Sequence, residues 1–230
     1  GWMDQPWVSE IHPGACVVAQ IWNDTEFNDR SGMATSSRRV ARELWKGEYP
    51  GGDPVRNAQL LFGAENPPGC EYVSGTQDHI GLLMPGITRI DYNGKYWPKH
   101  IENTTDPETC EWLSRVLHLA PLKPRPEGYN PIEEKRLEKA YVKRLGESGE
   151  MCYEAILKKD AKLLGESMKE TYLAWRDMLP HTVPDWVLKE MESNYFTKYS
   201  GAITSGSGGG YVVFPSEEPV EGCIKVRIRY

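Results

Sequence analysis

No apolar run in this sequence approaches the about 18 residues that cross a bilayer, so a membrane partner is not expected. Cationic excess is missing too. Lys and Arg number 27 against 33 Asp and Glu, a net charge of −6, so nothing draws the chain generally toward nucleic acid or anionic lipid. Any anionic ligand must be held by a local device. Cysteine is sparse: Cys16, Cys70, Cys110, Cys152 and Cys223 include no CxxC pair. That pattern argues against a disulfide framework or a zinc site and suits a reducing cytoplasm. The 5 histidines are equally dispersed, which speaks against a histidine metal cluster. No signal peptide is visible, and Gly1-Trp2-Met3-Asp4 reads as a start inside a domain, with an upstream strand expected to be missing. Absent as well are GxxxxGK followed by Ser or Thr, and the protein-kinase set of glycine loop, HRD and DFG.

What is present is ordinary globular material, 39% hydrophobic and 26% charged, over 230 residues. That length buries one sizeable core or two small lobes around a cleft. Residues 14–22 read as a strand, 23–31 as a loop, 36–46 and 54–65 as helices, the second opening on Pro54. Residues 72–84 read as a glycine-containing segment leading into a short helix. ITRIDY, Asn93-Gly94 and KYWP read as a hairpin with a two-residue turn. A helix over 107–116, an extended 115–122 and a Pro-rich loop follow. From 131 to 178 the pattern is helical, with a break expected at Gly146–Gly149. Leu163, Leu164, Met168, Tyr172 and Trp175 recur at helical spacing, as a core face does. A further helix, a glycine-rich stretch and two strands complete an α+β order.

Three segments carry possible chemistry. Ser31-Gly32-Met33-Ala34-Thr35-Ser36-Ser37 stands directly before a helix. It reads either as a phosphate cradle, where a helix start offers unpaired N–H groups, or as a plain N-cap. Gly206-Ser207-Gly208-Gly209-Gly210 reads either as a linker or as backbone passing close to a ligand. It runs at once into the strand Tyr211–Phe214, which favours the second. Glu65 and Asp78 are two acids thirteen positions apart, and alone they mean nothing.

Together and in this order, the segments resemble the GHMP kinase superfamily. SGMATSSRRVAREL resembles that family's phosphate loop, AEN…SGTQD its magnesium-binding Glu and catalytic Asp, and GAITSGSGGGYVVF its third motif. The start Gly1-Trp2-Met3-Asp4-Gln5-Pro6 is similar to that of fucose- and heptose-type sugar kinases. The resemblance implies a two-lobe α+β fold, with a shortened first lobe like domain 2 of ribosomal protein S5 over residues 1–105. The second lobe, over 106–230, would be ferredoxin-like. It implies a kinase using ATP and Mg2+ on a sugar-like substrate, as monomer or homodimer. Asp78 would be the base; Glu65, Ser36 and Ser37 would hold magnesium. Ser31, Gly32, Met33, Ala34, Thr35, Ser36 and Ser37, with Gly206, Gly208 and Gly209, would cradle the nucleotide. Asp4, Trp2, Gly75 and Gln77 would meet the acceptor.

Departures from the family pattern are plain. The stretch between Asp4 and Ser31 is short, Met-Ala-Thr replaces Leu-Gly, and Arg38-Arg39 stand where small residues are usual. A silent relative that binds a phosphorylated ligand or a protein partner is the alternative, and a GHMP-fold decarboxylase or synthase a third.

Overall fold

The computed structural model describes residues 1–21 and 34–230; the loop read over 23–31, and the candidates Ser31, Gly32 and Met33, lie outside them. A one-turn helix α1 (Pro6–Ser9) precedes strand β1 (Gly14–Ala19), then helices α2 (Thr35–Trp45), α3 (Pro54–Glu65) and α4 (Gln77–Leu83). Strands β2 (Ile87–Tyr92) and β3 (His100–Thr104) follow, and α5 (Pro107–Val116) runs directly into β4 (Leu117–Pro121). A long helical hairpin, α6 (Lys139–Leu157) and α7 (Ala161–Met178), leads to α8 (Asp185–Glu190), β5 (Ile203–Ser205), β6 (Tyr211–Pro215) and β7 (Ile224–Lys225).

The helix starts have identifiable causes. Asp53, Asp106 and Asp160 each turn a carboxylate onto an early amide of α3, α5 and α7, at 2.9 Å in each case. Pro54 and Pro107 occupy first-turn positions where a missing N–H costs nothing.

Two antiparallel sheets result. In the first the order is β1-β2-β3, with Gly14 opposite Tyr92 and Asp91 opposite His100. In the second it is β5-β6-β4-β7, with Leu117 opposite Pro215 and Ile203 opposite Val213. The larger core joins both ends of the chain, gathering Met3, Leu61 and Ile90 with Val142, Trp175 and Phe214.

Three sequence expectations change. The long helical stretch breaks at Lys158–Asp160, where Lys159 takes φ +54, rather than at Gly146–Gly149. Those glycines sit inside α6 because the helix presses against β1: a Cβ on Gly149 would stand 1.9 Å from the Ala15 carbonyl oxygen. Residues 131–138 are not helical. The hairpin is present, but its connection spans residues 93–99 and KYWP is no strand. Gly94 alone takes positive φ there, so the two-residue turn that needs both centres positive is not formed. The connection serves other contacts, with Ser9 Oγ accepting from the Gly94 amide and Tyr96 O from Thr76.

Candidate active site

One end of the site is built where α2 begins. Its N-cap is Ala34, in left-handed backbone at φ 49, which has no side-chain acceptor to offer. Ser36 and Ser37 therefore do not cap. Both hydroxyls donate instead to Glu65 at the end of α3, Ser36 to Oε1 and Ser37 to Oε2, each at 2.6 Å. His79 Nε2 reaches Glu65 Oε2 at 2.5 Å. Burial alone would raise the Glu65 pKa, but the bonds from His79, Ser36 and Ser37 reverse this and bring it to about 2. The carboxylate is ionised at any physiological pH.

The other end is acidic and differently tuned. Asn66 anchors the segment after α3 by accepting from the Ser74 amide, and Thr76 bonds the Tyr92 hydroxyl, so residues 74–78 are fixed in place. The Asp4 carboxylate lies flat on Gly75, where a Cβ would stand 1.9 Å from Oδ2, and accepts from the Gln77 amide at 3.3 Å. Burial, with the nearby Asp78, raises the Asp4 pKa to about 6. Asp78 opens onto the same hollow and keeps contact with solvent there. Protein crowds it enough that desolvation raises its pKa. Both acids of this end therefore hold a proton more readily than an ordinary aspartate, in contrast to Glu65.

Between these ends lies a cavity of about 530 Å3. Trp2, Asp4, Gly75, Gln77 and Asp78 line it, as do Ala34 and Arg38 of α2 and Gly206. Ser36, Ser37 and Glu65 do not, although they share the first turns of α2 with Ala34 and Arg38 or are bonded to them. The glycine stretch is a structured turn between β5 and β6: Gly208 N bonds Thr182 O at 2.9 Å and Gly210 N bonds Lys123 O at 3.0 Å. Four of its residues have positive φ, which only glycine adopts at low cost. Gly208 and Gly209 face Tyr129, Lys123 and Trp186 rather than the cavity.

Two cavity residues and one neighbour carried no assigned role in the sequence. Arg38 is 7% exposed and lines the hollow; Tyr72 lines its mouth, its hydroxyl accepting from Gln5 at 3.3 Å. His79, fully buried, joins the acid-bearing helix to Glu65. A lone histidine has no periodicity to reveal it, though its place next to Asp78 was a usable signal. Trp97 packs on the core and does not line the cavity.

No protein-family model matches this sequence, and no curated protein matches it. Among solved structures, the D-glycero-D-manno-heptose 1-phosphate kinase of Bacteriodes thetaiotaomicron superposes with a TM-score of 0.52 at 12% identity. That alignment covers 85% of this chain and 60% of the other, so this chain spans less than two thirds of that protein. The mevalonate diphosphate decarboxylase of Enterococcus faecalis gives 0.48 at 12% identity, over 82% and 59%. The mevalonate-3-kinase of Thermoplasma acidophilum gives 0.46 at 17%, over 98% and 90%. The chain has the GHMP-kinase fold. Among the described residues, no helix is long and apolar enough to cross a membrane.

Proposed function

We propose that this chain is a kinase that moves the γ-phosphoryl of ATP to a hydroxyl of a small, sugar-like acceptor, in a reducing cytoplasmic setting. The observation that carries the reading is the single cavity into which the start of α2, Asp78, Asp4 and Gly206 all open. Residues 1–105 and 106–230 would be its two lobes.

The residues fit a magnesium nucleotide. One carboxylate held ionised and two hydroxyls are a hard oxygen set of the kind Mg2+ takes, and the first amides of α2 suit a phosphate. Glu65, Ser36 and Ser37 would hold the ion, and Ala34 to Ser37 the phosphates. Bound magnesium neutralises phosphate charge. The chain's own part is positioning. Asp78, its pKa raised by crowding, accepts the acceptor's proton more readily than an ordinary aspartate would. Asp4, backed by Gly75, and Gln77 orient the acceptor hydroxyls, while Trp2 offers a ring face to its C–H surface.

The test is ADP release by the full chain with a panel of sugars and sugar phosphates. Asp78→Asn is expected to cut turnover about 10²- to 10⁴-fold while leaving nucleotide affinity alone. Undiminished turnover in that variant would remove the base from Asp78. Binding without turnover is the second reading, favoured by the bulk of Arg38 in the cavity wall where the resembled loop has small residues. Calorimetry that finds sugar-phosphate binding but no nucleotide binding would select it.

A further inference from the structure

The starts of α2 and α4 are tied together at Glu65, and the α4 partner in that tie is His79, a residue outside every motif. It follows Asp78 in α4 and is fully buried. Its Nε2 lies 2.5 Å from Glu65 Oε2, and Phe62 sets its ring edge-on against the imidazole at 5.4 Å and 85°, which fixes the ring plane. Glu65 also takes both serine hydroxyls of α2. One carboxylate thus receives three donors, from α2 and α4, and has no rotation left.

The tautomer follows from the surroundings. Nδ1 is sealed from solvent and has no partner among the described residues. A bare nitrogen lone pair is tolerated there far better than an unpaired buried N–H, so the proton belongs on Nε2, where an ionised carboxylate accepts it.

We propose that His79 is a positioning residue for the magnesium-nucleotide end of the site: its Nε2–H holds Glu65 in the orientation that serves the metal. Through the neighbouring Asp78 it also keeps the acceptor-side acid in register with the phosphate side. The inference rests on the kinase reading of the same site. Histidines seated behind an oxygen ligand in this way act through that ligand, not on substrate.

The test compares magnesium-dependent ADP binding by calorimetry for the full chain, His79→Gln and His79→Leu, with folding checked by circular dichroism. His79→Leu is expected to bind magnesium-ADP about 10- to 100-fold more weakly, and His79→Gln, whose amide still donates to Glu65, within about threefold of the parent. Equal affinity in His79→Leu overturns the proposal, as does a parent chain whose ADP affinity ignores magnesium. Since a buried change can cost the fold, a second measurement uses the unaltered chain alone. Histidine ¹⁵N NMR should show His79 as the Nε2–H tautomer, and an Nδ1–H form overturns the proposal. A parent chain that binds magnesium-ADP but phosphorylates no acceptor sinks the kinase reading and leaves this role standing. Full activity in a folded His79→Leu does the reverse.

Discussion

At the scale of single residues, the acidic end of the cavity is kept at a cost in stability. Asp4 is 7% exposed and its pKa stands at about 6 against an ordinary 3.8. A carboxyl whose folded pKa is raised favours the folded state most below about pH 4, and that advantage is lost as pH climbs through about 6. The gap corresponds to about 3 kcal/mol as an upper figure. Asp4→Asn, which cannot ionise, should therefore be more stable than the parent at pH 8 and nearly equal at about pH 3, while binding acceptor more weakly. Urea unfolding at the two pH values checks this; a difference that ignores pH would rule out burial as the cause. Sequence order revealed Asp4, Glu65 and Asp78 because each sits in a segment with a recognisable neighbourhood. It did not reveal that Glu65 is locked by His79, since that bond joins α3 to α4 through space and leaves no local trace.

Among the elements, the seat of α6 on β1 is the most demanding contact. Propensity alone favours alanine over glycine inside a helix by about 1 kcal/mol. At Gly149 packing overrides it, because an added methyl would run into the Ala15 carbonyl. Gly149→Ala should destabilise the chain by about 1–3 kcal/mol. Gly63, exposed in α3 with nothing near its missing Cβ, is the control. Gly63→Ala should stabilise by about 0.5–1 kcal/mol. Thermal melts of the two variants must move in opposite directions. The same contact explains why the helix break was misplaced in sequence: a glycine pair reads as an interruption locally and as a packing notch only once β1 is alongside. By contrast α3 and α5, with an Asp cap and a proline at the start, carry their limits in local chemistry and lie where the pattern puts them.

For the whole molecule, the sheet order was the least legible feature. Placing β4 between β6 and β7 pairs Leu117 with Pro215 and His118 with Lys225, about a hundred positions apart, and no local pattern encodes that. The cores also ignore the boundary near residue 105. Met3, Leu61 and Ile90 share one cluster with Val142, Trp175 and Phe214. The chain should therefore unfold in one transition, with tryptophan fluorescence and circular dichroism coincident in urea. Two separated transitions would show that each half holds its own core. The α6–β1 seam has a last consequence. Ala15 to Val18 of β1 and Leu145, Gly149 and Cys152 of α6, in contact along that seam, all line the same hollow. The atom absent at position 149 thus sets the gauge of the chamber, and a relative carrying a larger residue there would be wedged open for a bulkier guest.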